Sequence, residues 1–333
     1  MAKIIELDNI GMSFEKKVGL FQANKRIDVL RRVNLDIEEG QIVAIVGESG
    51  CGKTTIGKII TGLLKPTEGE LRFNGKNLYG FSLSVFSKTR EQVQFVQQDS
   101  YAALNPVRTI RQSLTAPINH HYKHYSEAET EKKINEIMTL VGLTPPEQFL
   151  SKYPHMLSGG QRQRILMARA ISLEPKLIVA DEPVSMIDVS MRLSILNLMN
   201  QLNEMFGISF VYITHDLATA KYIARNGNIC VMYLGEIVEF GSVEAVLKNP
   251  KHPYTQALIA AVPVPDPKQA KHSRDIPIKS MEITSLEKRP DGCVFYDRCP
   301  YAEEKCRAKI EDMEVDGVRV KCCKIGEIPE WTN

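Results

Sequence analysis

The chain has 333 residues, of which 43% are hydrophobic and 25% charged, and its formal net charge is +2. This is ordinary globular composition, long enough for about two domains, and the balanced charge argues against a nucleic-acid partner. No apolar run reaches the roughly 18 residues that span a bilayer, and charges interrupt the only early apolar run. We therefore expect neither a signal peptide nor a membrane span, and a cytoplasmic chain or a peripheral subunit.

Alternating apolar and polar residues predict strands over residues 3–46, and continuous apolar runs predict buried strands further along the chain. The predicted buried strands are 42–46, 177–180 and 208–213, and a further short strand is predicted at 93–96. Helical patterns separate them, at residues 55–64, 126–141, 159–169 and 195–206. Strands that alternate with helices predict an α/β fold with a mostly parallel sheet.

A helical insertion is predicted at about residues 98–160. Ser126 and Glu129 fit a capping box. Apolar residues then recur with helical spacing from Ile134 to Val141, and Gly142 follows as a stop signal. This pattern indicates an amphipathic helix within the insertion.

The stretch from Gly47 to Thr54 fits G-x-x-x-x-G-K-[ST], the phosphate-binding P-loop. Its place between a predicted strand and a predicted helix disfavours the alternative, a glycine-rich turn that binds nothing. Backbone N–H groups at such a helix N-terminus favour anions. Lys53 is expected to reach the β- and γ-phosphates, and Thr54 to hold Mg²⁺. The predicted phosphate-binding residues are Gly47, Ser49, Gly50, Gly52, Lys53, Thr54 and Thr55.

Two acidic residues, Asp181 and Glu182, end the apolar strand at residues 177–180. We expect Asp181 to hold Mg²⁺ through its water shell, and Glu182 to orient or deprotonate the water that attacks the γ-phosphate. The alternative is that both carboxylates only solvate the end of a strand. That alternative is weak, because the strand has no other polar residue.

A second anion-binding helix N-terminus is predicted at Leu157-Ser158-Gly159-Gly160-Gln161. At these residues the sequence resembles the ATP-binding cassette (ABC) ATPases, whose signature is LSGGQ, over residues 1 to about 250. The resemblance implies a P-loop NTPase (RecA-like) core with an antiparallel β subdomain and the helical insertion. It also implies that two cassettes pair head to tail. The signature residues Ser158, Gly159, Gly160 and Gln161 of one chain then contact the γ-phosphate bound by the other chain's P-loop.

Other positions resemble the motifs of the same family. Gln98 resembles the Q-loop glutamine, which senses Mg²⁺, and we prefer it to Gln97 because it precedes Asp99. His215 matches the switch histidine that contacts the γ-phosphate, although a lone histidine can equally be an ordinary surface residue.

Two further assignments depart from the family pattern. Ser185-Met186-Ile187-Asp188 resembles the D-loop, whose middle is usually Ala-Leu, and we expect Asp188 to act across the dimer interface. Phe14 resembles the aromatic residue that stacks on adenine. An insertion through about Asp28 leaves Phe21, or a core role for Phe14, as alternatives.

Residues 251–333 resemble the C-terminal extension of the oligopeptide/dipeptide importer ATPases, beginning with His252-Pro253-Tyr254-Thr255-Gln256. The proline-rich stretch 263–267 predicts a linker. The resemblance implies a [4Fe–4S] cluster held by Cys293, Cys299, Cys306 and Cys322, with Cys323 a weaker candidate for the last place. Four thiolates also suit Zn²⁺, and free thiols are the remaining alternative.

These resemblances imply an ATPase subunit of a membrane importer, peripheral to the cytoplasmic face of the membrane. ATP binding closes the dimer, and hydrolysis opens it. The implied partners are a second ABC ATPase, by expectation a paralogue, two permease subunits and, indirectly, an extracytoplasmic binding protein. A homodimer is the alternative. Peptides are the expected cargo, with nickel or short oligosaccharides as alternatives, and a soluble ABC ATPase without transport is the competing class.

Overall fold

A computed structural model describes residues 2–16, 25–80, 82–262, 276–282, 284–329 and 331. Its strands are β1 (Lys3–Lys16), β2 (Lys25–Glu38), β3 (Ile42–Val46), β4 (Glu68–Phe73), β5 (Lys76–Asn77), β6 (Val93–Val96), β7 (Leu177–Asp181), β8 (Ser209–Thr214), β9 (Asn228–Tyr233), β10 (Glu236–Ser242), β11 (Met313–Val315) and β12 (Val318–Val320). Its α-helices are α1 (Lys53–Ile60), α2 (Leu83–Glu91), α3 (Ser100–Ala103), α4 (Ile110–His121), α5 (Glu127–Leu140), α6 (Glu147–Leu150), α7 (Gly159–Ile171), α8 (Val189–Phe206), α9 (Leu217–Ile223), α10 (Val243–Lys248) and α11 (Pro253–Ala260).

Within the described residues the strands form two sheets. One is antiparallel, in the order β2-β1-β4-β5, and the other runs β11-β12-β10-β9-β3-β8-β7-β6. In the larger sheet β3 pairs in parallel with both β8 and β9, and β7 pairs in parallel with β6 and β8. The predicted α/β fold and the predicted antiparallel β subdomain are both present.

The centre of the parallel sheet is covered on both faces. Along β3, Val43 and Ile45 belong to the apolar core that includes β1 and α1, whereas Ala44 and Val46 belong to the core on the opposite face. Successive side chains of a strand point to opposite faces, so a strand covered on both sides must be apolar throughout. All five residues of β3 are buried, which explains the uninterrupted apolar run in the sequence.

The helical insertion is formed by α3 to α6, between β6 and β7, and α4 and α5 both pack on α7. Two of its helices begin at capping boxes, which involve only residues close together in the sequence. Ser126 caps α5 through the predicted capping box, because its side chain accepts from the Glu129 N–H and Glu129 accepts from the Ser126 N–H. Thr109 caps α4 in the same way.

The helix that follows the P-loop is shorter than the pattern at residues 55–64 predicts, since α1 ends at Ile60. The Thr61 hydroxyl donates to the carbonyls of Gly57 and Lys58, at 3.1 Å each, and Gly62 adopts a positive φ of 65°. This turn ends the helix although apolar residues continue.

The C-terminal residues continue the main sheet rather than standing apart from it. Strand β12 pairs with β10 through Glu239 opposite Val320 and Phe240 opposite Arg319, and β11 adds the outer edge. The linker predicted at residues 263–267 lies outside the described residues. No helix in the described ranges is both long and apolar enough to cross a membrane.

Candidate functional site

The P-loop joins the buried strand β3 to helix α1. Gly47 is required by packing, because a Cβ there would lie 2.2 Å from the Met232 carbonyl oxygen. Lys53 begins α1 and is only 6% exposed. Its Nζ donates to the carbonyl oxygens of Gly47 at 2.8 Å and Glu48 at 2.9 Å. The loop thus holds a buried cation at the N-terminus of a helix, which is the environment that a phosphate chain requires.

Beside the P-loop, Asp181 offers a carboxylate oxygen to a cation. It is 4% exposed at the end of β7, and its Oδ1 is buried with no hydrogen-bond partner in the described part of the chain. The pKa of Asp181 is raised by burial, and a hydrogen bond with the Thr54 side chain offsets only part of that rise. A buried, unpartnered carboxylate oxygen next to a threonine hydroxyl fits a hard cation such as Mg²⁺.

Glu182 is the centre of a hydrogen-bond network at the carboxyl ends of three adjacent parallel strands. Its Oε2 accepts from Gln98 Nε2 at 2.9 Å, and its Oε1 lies 3.0 Å from Nδ1 of His215. Gln98 Nε2 also lies 3.4 Å from the Ser185 hydroxyl. Gln98, Glu182 and His215 follow β6, β7 and β8, and in α/β sheets this edge is where ligands bind.

The backbone fixes the position of Glu182. Its φ is +45°, in the left-handed region that residues other than glycine rarely adopt. Its N–H donates to the Ile213 carbonyl on β8 at 2.9 Å. Such strain is maintained only where the surrounding structure over-determines it, often at functional sites. The arrangement brings a lysine, two carboxylates and an imidazole to one sheet edge, which suits phosphoryl transfer from a nucleotide.

The signature begins helix α7, with Ser158 exposed at the N-cap. The Ser158 side chain accepts from the Gln161 N–H, and Gln161 Oε1 accepts from the Ser158 N–H. A Cβ on Gly159 would lie 3.3 Å from the Met186 carbonyl, and one on Gly160 would lie 3.1 Å from Met191. The described contacts therefore join the signature to the 185–188 loop and α8, not to the P-loop.

Two other predicted site residues are exposed. Asp188 occupies the N-cap position of α8, but its side chain makes no capping hydrogen bond. Phe14 lies on β1 opposite Ile27 of β2 and is 43% exposed. The alternative aromatic residue, Phe21, lies outside the described residues.

The C-terminal cysteines converge on one cavity. Cysteines line one small cavity with His252, and they are Cys293, Cys299, Cys306, Cys322 and Cys323. Burial raises the pKa of Cys293 to about 12 and that of Cys322 to about 11, so both thiols are protonated as long as no metal ion binds them. No group of three or more His, Cys, Asp or Glu side chains in the described residues could hold a metal ion. The predicted [4Fe–4S] or Zn²⁺ site therefore stays a prediction.

Sequence reasoning missed two contacts that the C-terminal extension makes with Glu48 of the P-loop. The Tyr254 hydroxyl accepts from the Glu48 N–H at 2.9 Å, and Arg298 NH1 donates to both carboxylate oxygens of Glu48 at 2.9 Å. Glu48 occupies a variable position of the P-loop motif. Arg298 is 250 residues further along the chain, so no sequence spacing could have connected the two.

Comparison with family models gives two matches. Residues 30–185 match the model described as "ABC transporter", and residues 238–306 match "Oligopeptide/dipeptide transporter, C-terminal region". The second match contains Tyr254 and Arg298, as well as the first three of the four predicted cluster cysteines.

Similar curated proteins span nearly the whole chain. The oligopeptide transport ATP-binding protein OppF of Escherichia coli is 40% identical over 97% of this chain and 96% of its own length. AppF of Bacillus subtilis, also an oligopeptide transport ATP-binding protein, is 40% identical over 93% of each chain. The dipeptide transport ATP-binding protein DppF of Haemophilus influenzae is 40% identical over 96% of each.

Among solved structures, the ATP-binding cassette MJ0796 is similar in fold. One chain of its dimer in a post-hydrolysis state, bound to ADP and Pi, superposes with a TM-score of 0.63 at 32% identity. The match covers 72% of this chain and 98% of that one.

Proposed function

Because this chain belongs to the family of ATP-binding subunits of oligopeptide and dipeptide ABC transporters, we propose that its ATPase activity powers the import of di- or oligopeptides. One observation carries the catalytic part of the proposal. Glu182 is held between Gln98 and His215 at the sheet edge that also presents the P-loop. The cargo is inferred from the names of the relatives, which are peptide transport proteins.

Each residue of the site has a proposed role. Lys53 keeps its hydrogen bonds to the two loop carbonyls and directs its remaining donor to the β- and γ-phosphates, which are charged and therefore strong acceptors. Glu182 accepts a proton from the attacking water or orients it, while Gln98 and His215 hold the carboxylate in place. Mg²⁺, when bound at Asp181, Thr54 and Gln98, supplies charge neutralisation for the phosphates. Gly47, Ser49, Gly50, Gly52 and Thr55 complete the phosphate-binding loop.

The site is proposed to need a second cassette. The atoms nearest to a Cβ on Gly159 or Gly160 belong to residues 162, 186, 187 and 191 and not to the P-loop. Ser158 is exposed at the start of the signature Ser158, Gly159, Gly160 and Gln161, and Asp188 and Met186 are exposed as well. A cassette related in fold has been solved as a dimer with ADP and Pi. We propose a head-to-tail dimer with a paralogous ATPase, with a homodimer as the alternative. Its partners are two permease subunits, with a binding protein acting indirectly, at the cytoplasmic face of the membrane.

The proposed domain boundary lies between residues 250 and 251. Residues 1–250 form the cassette, with the helical subdomain at about 98–160, and residues 251–333 form the extension. Phe14 is proposed to stack on adenine, supported by its exposure on β1.

The test of the catalytic proposal is Glu182→Gln, which keeps the hydrogen-bonding shape and removes the carboxylate. Hydrolysis should fall about a hundredfold or more, while ATP binding persists and the dimer accumulates with ATP, as measured by light scattering. Glu204→Gln, exposed on α8, is the matched control and should behave as wild type. Undiminished hydrolysis in Glu182→Gln would refute the role of Glu182.

The cargo is tested in proteoliposomes that contain the chain with its permeases and binding protein. ATP-dependent uptake of a labelled tripeptide, blocked by unlabelled peptide, is the expected result. Uptake of nickel or a short oligosaccharide instead would replace the proposed cargo. Hydrolysis with no transport partner at all would favour the soluble ABC ATPase.

A [4Fe–4S] cluster at Cys293, Cys299, Cys306 and Cys322 is a second proposal, supported by one buried atom. The Tyr254 N–H donates to Nδ1 of His252 at 3.1 Å, and burial lowers the pKa of His252 to about 3, so the neutral ring carries its proton on Nε2. That Nε2 is buried and has no hydrogen-bond partner among the described residues, and His252 lines the cysteine cavity. A bound sulfide or thiolate would accept its hydrogen bond.

Anaerobic purification with metal and sulfide analysis tests this proposal. The expected result is about four iron and four sulfide per chain, lost in Cys299→Ser but retained in Cys230→Ser. Stoichiometric zinc without iron would replace the cluster by a zinc site. The absence of both metals would leave free thiols.

A further inference from the structure

We infer that Arg298 and Tyr254 of the C-terminal extension are positioning residues of the P-loop and that they set its affinity for ATP. The inference rests on the proposed nucleotide site and assigns part of its construction to residues far outside the cassette motifs. Both residues act through Glu48, the second residue of the P-loop. Neither is placed to contact the reacting phosphate.

Arg298 is enclosed where it meets the loop. Its side chain is 8% exposed, and NH1 donates at 2.9 Å to each carboxylate oxygen of Glu48 and at 3.2 Å to the Tyr233 hydroxyl. The guanidinium also lies 5.7 Å from the ring centroids of Tyr233 and Phe295. Because these contacts already restrict the side chain of Arg298, it loses little further conformational entropy when it binds the Glu48 carboxylate. The geometry of the ion pair is therefore well defined.

Tyr254 fixes the orientation of one peptide group. Its hydroxyl accepts from the Glu48 N–H, while the carbonyl of Gly47, in the same planar peptide, accepts from Lys53 Nζ. Because N–H and C=O of a trans peptide point in opposite directions, holding the N–H on Tyr254 turns the carbonyl toward Lys53. Tyr254 thereby helps to place the lysine that is expected to reach the phosphates.

An aromatic cluster makes this support rigid. The Phe295 ring lies 5.3 Å from that of Tyr233 and 5.4 Å from that of Tyr254, and both tyrosines are almost fully buried. Phe295 comes from the extension, and Tyr233 comes from β9 of the main sheet. The cluster therefore joins the extension to the sheet directly behind the P-loop.

The charges of Glu48 and Arg298 predict the direction in which the affinity for ATP changes when either side chain is replaced. Glu48 places an anion within the loop that is to receive a triphosphate, and its carboxylate side chain is 26% exposed. Paired with Arg298, that anion is neutralised, whereas without the guanidinium it repels the nucleotide. Removing Arg298 should therefore weaken ATP binding, and removing Glu48 as well should restore much of it.

The experiment measures the ATP dissociation constant of the full-length chain by calorimetry with Mg²⁺, and KM and kcat in the assembled ATPase. Arg298→Gln should weaken ATP binding about tenfold and raise KM by a similar factor, leaving kcat within about twofold. Arg298→Lys should recover part of the loss, and Glu48→Gln/Arg298→Gln should bind ATP more tightly than Arg298→Gln. Arg307→Gln is the control, since Arg307 lies in the same extension and donates to Tyr296 instead.

Tyr254→Phe removes only the hydroxyl and should weaken ATP binding about threefold. If Arg298→Gln does not fold, the ATP affinity of Tyr254→Phe tests the inference in its place. A folded Arg298→Gln with wild-type affinity, or a double variant as weak as Arg298→Gln, would overturn the inference. The Lys53→Ala variant distinguishes a failure of the positioning role from a failure of the proposed nucleotide site. If Lys53→Ala binds ATP like wild type, the site itself is wrong, whereas a defective Lys53→Ala beside a normal Arg298→Gln refutes only the positioning role.

Discussion

Two helix N-termini in this molecule are proposed to bind phosphate, and they are built differently. Helix α1 follows Gly52, which has a φ of 102° and no side chain to cap the helix. Helix α7 follows Ser158, whose side chain caps it through a capping box with Gln161. The first N-terminus has Lys53 buried beside it, whereas Ser158 at the second is exposed.

This difference agrees with the proposal that the α1 site is built within the chain, whereas the α7 site acts on a nucleotide bound by a partner. The uncapped α1 leaves its first N–H groups for an anion, and the loop before it is held by Tyr254 and Arg298 through Glu48. In helix α7 one of the first N–H groups, that of Gln161, already donates to the helix's own serine. A capped and exposed helix start suits contact with a nucleotide held by another chain.

The largest effect is expected from Lys53→Ala. Loss of the buried ammonium removes the main positive charge at the phosphate site, and hydrolysis should fall about a hundredfold or more. Calorimetry should also show weakened ATP binding by the isolated chain. Lys58→Ala, exposed on the same helix, is the control. Equal losses in both variants would point to a general effect on α1.

A smaller and more selective effect is expected from Ser158→Asp. Aspartate caps a helix as well as serine does, so stability should be retained, but its charge repels a γ-phosphate brought by a partner. Hydrolysis by the assembled dimer should fall at least tenfold, with the ATP affinity of the isolated chain unchanged. Ser126→Asp, at the cap of α5, is the matched control. Weakened ATP binding by the isolated Ser158→Asp chain would argue against a signature that acts on a partner.

The smallest effect concerns the extension's contact with the ends of β1 and β2. Glu287 pairs with Lys16 at 3.1 Å and Lys25 at 2.7 Å, and these hydrogen bonds lower its pKa to about 2. The stabilising contribution is therefore present above the ordinary pKa of about 4.5 and is lost as pH falls toward 2.

Glu287→Gln should cause a small loss of stability at pH 7 and low salt, measured by urea unfolding. Salt should reduce the difference from wild type, because the ions are partly exposed. Glu282→Gln, exposed in the same extension, should show no such dependence. A difference unaffected by salt or acid would mean that Glu287 acts through packing rather than charge.

Local sequence signals predicted much of this fold. The strand at residues 42–46 coincides with β3, and the capping box at Ser126 begins α5 as predicted. The helix over residues 195–206 ends at Gly207, which has the expected positive φ of 66°. Each of these signals involves residues within a few turns of one another, where backbone sterics and capping decide the outcome. The end of α1 was predicted wrongly, because apolar residues continue past the turn at Gly62.

The sequence by itself determined the chemistry of the site, because P-loop, signature and carboxylate motifs require particular residue types at short spacings. Tertiary structure alone decided that Glu182 is held between Gln98 and His215, since those residues come from three different strands. It also decided that Arg298 meets Glu48 and that the C-terminal cysteines gather around one cavity. Pairings between residues so far apart depend on how the sheet and the extension pack, and no local pattern in the chain encodes that packing.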